Sequence, residues 1–125
     1  MRRLLALLVA LLVVACAPIP PASGDTTLAD RPAELALKTG IRAYDNGQYI
    51  EAERQLRLAN QAGLVSPTDR ARAHKYLAFI YCTSDRVPQC ENSFRAAKLA
   101  DPEFALSKSE AGHPVWGPVY LRAMK

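Results

Sequence analysis

Four positions along this chain recur in the same order of size at one constant offset. Gly40, Ala52, Leu56 and Ala59 are followed 38 positions later by Ala78, Cys90, Phe94 and Ala97. The order is small, small, large and Ala in both sets. Small residues at the first two positions let a pair of helices approach closely, and the larger apolar residue followed by Ala fills the groove beside them. A repeated set of this kind constrains the fold more than any single motif. It calls for two copies of one helical unit that bury their apolar faces against each other, because neither copy buries its own.

The residues between these positions divide the chain into four helices. Pro32 suits a first helical position with Asp30 as its N-cap, Leu37, Ile41 and Tyr44 recur at helical spacing, and Asp45-Asn46-Gly47 stops the run. Tyr49, Ala52, Leu56 and Ala59 share one face of a second helix that ends before Ala62-Gly63 and the Ser66-Pro67 turn. A third begins near Pro67-Thr68-Asp69, carries Ala73, Leu77, Ile80 and Tyr81, and stops around Thr83-Ser84-Asp85. The fourth runs from Val87 or Pro88 to Ala100, with Cys90, Phe94 and Ala97 on one face. In the tail, 103–125, two prolines and two glycines between Gly112 and Pro118 allow a shaped turn and one short helix, from Pro114 or Pro118 to Met124. Val115, Trp116, Val119 and Tyr120 are placed to cap the open end of the second unit. The predicted fold is all-α: two helical hairpins plus a C-terminal capping turn or helix.

These residues resemble the tetratricopeptide repeat family, whose unit is a helix-turn-helix of about 34 residues. Gly40, Gly47, Tyr49, Ala52, Leu56 and Ala59 stand at the family's small, turn, aromatic, Ala, large and Ala positions. The second unit matches at Leu77, Ala78, Tyr81, Phe94, Ala97 and Pro102, with Cys90 in a small-residue slot. The likeness covers residues 34–102 and departs from the pattern twice. Four extra residues are expected within Leu64 to Asp69, and Leu64 replaces the closing Pro of the first unit. In that family ligands lie on the concave face built from the first helix of each unit. The resemblance therefore implies partner binding through Leu37, Ile41, Tyr44, Lys75 and Phe79. Ile41 and Phe79 occupy positions where carboxylate-clamping members carry Asn, which favours a helix or extended peptide held by apolar anchors. A plainer reading stands beside this one, in which several of these side chains pack on the tail.

The N-terminus carries a different signal. Arg2 and Arg3 precede eleven apolar residues, Leu4 to Val14, a run too short to span a bilayer core of about 30 Å and of the right length for an export signal. Val13-Val14-Ala15-Cys16 resembles a lipobox, which implies cleavage before Cys16 and acylation of that residue; Ala17 rather than Asp implies sorting to the outer membrane. An ordinary signal peptide and an uncleaved anchor are the alternatives. The division expected is a signal over 1–15, a lipidated cysteine and Pro-rich tether over 16–31, and a helical domain over 32–125. Losing Arg2 and Arg3 takes the 16 basic residues to 14 against 12 acidic ones, a net of +2, which removes the charge case for nucleic acid. It also leaves Cys82 and Cys90 as an even pair, either a disulfide stapling the second hairpin or two reduced core thiols.

Nothing in the sequence assembles a catalytic or metal site. His74 and His113 form no metal-binding pair with each other or with Glu, no serine lies in a nucleophile elbow, and no Gly-rich phosphate loop is present. His74 reads as a partly buried structural residue and His113, before Pro114, as a turn cap. With its Gly112–Pro118 tail the chain resembles small repeat-containing lipoproteins of Gram-negative bacteria, some of which accompany type VI secretion machinery. That implies a non-enzymatic adaptor without cofactor or metal, anchored by acyl chains at the periplasmic face of the outer membrane and partnered by envelope proteins. A second expectation is a cell-wall binding or modifying lipoprotein that uses Trp116 and Tyr120 as a platform, which requires a pocket with convergent polar groups near His113. Replacing Cys16 with Ser is expected to move the protein out of the membrane fraction. Unchanged retention would refute the anchor.

Overall fold

The computed structural model describes residues 27–125; the signal, Cys16 and most of the tether lie outside the described residues. A 3-10 turn at Leu28–Asp30 leads into six α-helices: α1 Pro32–Asp45, α2 Tyr49–Ala62, α3 Pro67–Thr83, α4 Val87–Ala100, α5 Lys108–Ala111 and α6 Gly117–Ala123. α1 packs on α2 and α3 on α4 as two hairpins, α2 against α3 joins them, and α6 packs on α4. No described helix is long and apolar enough to cross a membrane.

The offset read from the sequence is also the offset of the helices. α2 and α4 start at Tyr49 and Val87 and end at Ala62 and Ala100, while α1 and α3 end at Asp45 and Thr83. The two hairpin turns match in detail. Gly47 and Asp85 occupy equivalent positions with φ of 73° and 60°, so the same left-handed conformation is adopted once by Gly and once by Asp, two residue types that tolerate it. One residue later, Gln48 N–H donates to Ala43 C=O and Arg86 N–H to Tyr81 C=O, both at 2.8 Å. Three of the extra residues lengthen a helix. α3 has 17 residues against 14 in α1, and Pro67–Asp69 add nearly a turn at its start, where Ser66 Oγ accepts from Asp69 N–H at 3.3 Å.

Asp30 is not the N-cap that the sequence led us to expect. It belongs to the 3-10 turn, where its carboxylate accepts from the Thr27 hydroxyl at 2.6 Å, and Arg31 caps α1 without a side-chain bond. The local Thr27–Asp30 pair competes successfully for the carboxylate that would otherwise cap the helix. The tail is likewise more ordered than one short helix, since α5 precedes α6.

α3 lies at the centre of the core. Ala73, Leu77 and Ile80 join α1 and α2 in one cluster, while Ala78, Phe79 and Cys82 join α4 and the tail in another. Tyr44, Tyr76 and Tyr81 touch both clusters and unite them. Cys82 and Cys90, eight positions apart in sequence, meet in a disulfide across the second hairpin with Cα atoms 5.1 Å apart. A loop this small corresponds to about 2.5 kcal/mol of denatured-state entropy.

Within the first hairpin the close approach falls at Gly40. A Cβ there would stand 2.8 Å from Leu56 Cγ and 3.2 Å from the Leu56 backbone nitrogen. Gly40→Val is therefore expected to push α1 off α2 and lower stability by about 1–3 kcal/mol, measured by chemical denaturation. Stability equal to the parent would show that the contact can relax.

Candidate functional site

The tail determines which part of the inner face remains open. Ser107-x-x-Glu110 forms a reciprocal capping box: Ser107 Oγ accepts from Glu110 N–H at 3.2 Å, and Glu110 Oε2 accepts from Ser107 N–H at 2.9 Å. The other carboxylate oxygen, Oε1, accepts from Lys75 Nζ at 2.8 Å. The Lys75 ammonium also stands 5.0 Å from the Tyr76 ring centroid. Trp116 Nε1 donates to the Glu110 carbonyl at 2.7 Å. Its indole is covered on both faces, by Phe79 at 4.1 Å and by His113 at 3.4 Å between centroids. His113 caps its own turn, Nδ1 accepting from Val115 N–H at 3.2 Å. At Gly117 any side chain would run into the Ala111 carbonyl, so the entry to α6 requires glycine.

This arrangement divides the five inner-face residues proposed from the sequence. Phe79 is buried beneath Trp116 and Lys75 is committed to Glu110, so the tail occupies their part of the face instead of a partner. Leu37 is a core residue, though it and half-buried Ile41 border an open groove of about 490 Å³ with Leu28, Lys38 and Arg72. Tyr44 lies elsewhere, in a groove of about 400 Å³ at the turn end of the hairpins.

The Tyr44 groove has the more varied chemistry. Tyr44, Tyr49 and Trp116 wall it, Ile80 underlies it, and Thr83, Ser84, His113 and the Glu53–Arg86 pair supply polar groups. Ile50, 90% exposed, stands at the rim beside Tyr49. Arg86 grips Glu53 with two hydrogen bonds of 2.9 and 2.8 Å, tying α2 to the turn before α4, and its guanidinium lies 4.6 Å from the Tyr81 ring centroid. Those bonds hold the Glu53 carboxyl below the ordinary carboxylate range against the effect of burial. Burial, followed by the neighbouring Tyr49 and Tyr76, pushes the Tyr44 phenol up to about 12. The groove thus presents aromatic side chains and one internally satisfied ion pair. His74 is apart from it, near Asn60, and burial lowers its pKa. Among the described residues no group of three His, Cys, Asp or Glu side chains comes together as a metal site.

Sequence reasoning missed Glu53, Arg86 and Glu110. Ser107-x-x-Glu110 was readable as a capping signature, whereas the Glu53–Arg86 partners lie far apart in sequence and leave no local trace.

Glu110 makes tail docking sensitive to acid. Burial raises its carboxyl, but the Lys75 and Ser107 bonds outweigh that and leave it below its ordinary value. A depressed carboxylate contributes stability that is present above the unfolded pKa of about 4.3 and lost as pH falls through the folded value. Trp116 is the single tryptophan and reports the docking directly. Its emission is expected to change as pH falls below the ordinary carboxylate range, while Glu110→Gln shows a partly undocked signal already at neutral pH. Identical acid titrations of the two proteins would show that Glu110 does not hold the tail. Comparison with family models, with curated proteins and with solved structures finds no match for this chain.

Proposed function

We propose that this chain is a non-enzymatic, lipid-anchored adaptor that holds an envelope protein at the periplasmic face of the outer membrane. The observation that carries the reading is the rim of the Tyr44 groove. Ile50 and Tyr49, 90% and 52% exposed, stand beside a concave aromatic surface, the combination of projecting apolar anchor and adjoining cleft that protein interfaces use. A repeat-like pair of hairpins with a tail folded across part of its inner face presents this groove on a rigid frame. The partner contact proposed for Tyr44 is retained, and Tyr49, Ile50 and Trp116 join it. Assembly of a secretion machine, including the type VI kind, is the class of process such an adaptor serves.

The polar groups of the same groove support a second reading. Thr83, Ser84, His113 and the Glu53–Arg86 pair converge there, as a cell-wall binding site near His113 requires. A photo-crosslinking residue at position 50 of the membrane-bound protein distinguishes the two. The adaptor reading expects one dominant crosslinked protein, lost when Tyr49 is also changed to Ala. Binding of purified muropeptides in the groove with no crosslinked protein would overturn it.

A further inference from the structure

The exposed side of α1, with its N-cap, carries three cations, Arg31, Lys38 and Arg42, against one acid, Asp45. Leu35, Lys38 and Arg42 follow one another at spacings of three and four, which places them in a line on one helix face, and all are exposed. Arg31 precedes them at the N-cap, and Leu28, 50% exposed, lies in the turn just before it. Lys38 and Arg42 make no ion pair among the described residues. The acids nearby are already engaged. Glu34 accepts from Val65 N–H at 3.2 Å and lies 3.8 Å from Arg31, Asp69 stands 3.9 Å from Arg72, and Asp30 accepts from the Thr27 hydroxyl at 2.6 Å; Asp45, one turn beyond Arg42 at the far end of α1, makes no such contact.

We propose that this stripe of cations and leucines docks on an anionic phospholipid surface and sets the domain down on the membrane that holds its acyl chains. The inference rests on lipidation at Cys16. From Cys16 to Thr27 the chain reaches at most about 40 Å, so the start of the turn that leads into α1, the first helix after the tether, is held within that distance of the headgroups. Tethering makes the second contact intramolecular, and weak electrostatic attraction then suffices to orient the domain. Leu28 and Leu35 supply apolar wedges beside the cations, the composition of surface-lying amphipathic segments. The Tyr44 groove lies toward the other end of α1, at the hairpin turns, away from the first turn that follows the tether.

Vesicle flotation tests this on the processed chain, residues 16–125 with Cys16→Ser, which keeps every described residue and removes the acyl chains. It is expected to float with vesicles of equal phosphatidylglycerol and phosphatidylcholine, to stay behind with phosphatidylcholine alone, and to be released by high salt. Lys38→Glu with Arg42→Glu should weaken partitioning about 25-fold or more, roughly fivefold for each cation removed. Lys108→Glu with Lys125→Glu, the same charge change on the tail, should leave it nearly intact, with circular dichroism confirming that both variants fold. Equal loss in the two double variants, equal flotation on neutral vesicles, or no flotation at low salt would overturn the proposal. Failure here with Cys16→Ser still releasing the protein from membranes leaves the anchor standing; flotation without that release removes the anchor alone.

Discussion

α3 is apolar on two sides, and the other elements are arranged to cover one side or the other. Ala73, Leu77 and Ile80 need α1 and α2; Ala78, Phe79 and Cys82 need α4 and the tail. A helix buried this way cannot show a simple amphipathic stripe, and its sequence reads as mixed. Two hairpins alone would leave the Phe79 side open, because two stacked units fall short of the three or more that a solenoid needs. The tail supplies the missing layer: Trp116 covers Phe79, Tyr120 packs edge-on against Phe94 at 5.4 Å, and Lys75–Glu110 ties down the edge.

The functional surface follows from that closure. By covering Lys75 and Phe79, the tail leaves the inner face as two separate openings, one beside Ile41 and one beside Tyr44. Trp116 therefore has two roles. One face of its ring completes the core, and its outer side, with His113 stacked on it, walls the turn-end groove. The Glu53–Arg86 pair performs a similar double service, since it joins the two hairpins and forms one edge of the groove.

Much of the scaffold was legible because it depends on local chemistry. Helix starts at Pro32 and Pro67, stops at Asn46 and Ser84, and the pairing of Leu56 with Phe94 and Ala59 with Ala97 all follow from neighbouring residues and the constant offset. The first turn of α1 is less legible, because Asp30 has two possible local partners and the Thr27 hydroxyl prevails. The division of the inner face was not legible. Leu37, Ile41, Tyr44, Lys75 and Phe79 fall on the expected helices, but which of them stay open depends on the path of the tail. That path is set by contacts such as Lys75–Glu110, made across more than thirty residues. Such pairs have no periodicity to betray them.

Covering one end of the stack also gives the molecule a polarity. In an extended solenoid each unit offers its successor the same apolar surface, and the array can lengthen indefinitely. Here α6 lies on α4 where a third hairpin would stack, while Leu35 and Leu58 remain exposed on the first hairpin. With α6 on it, the α4 surface is already covered where a further unit would stack. The tail thus ends the stack as well as completing the core.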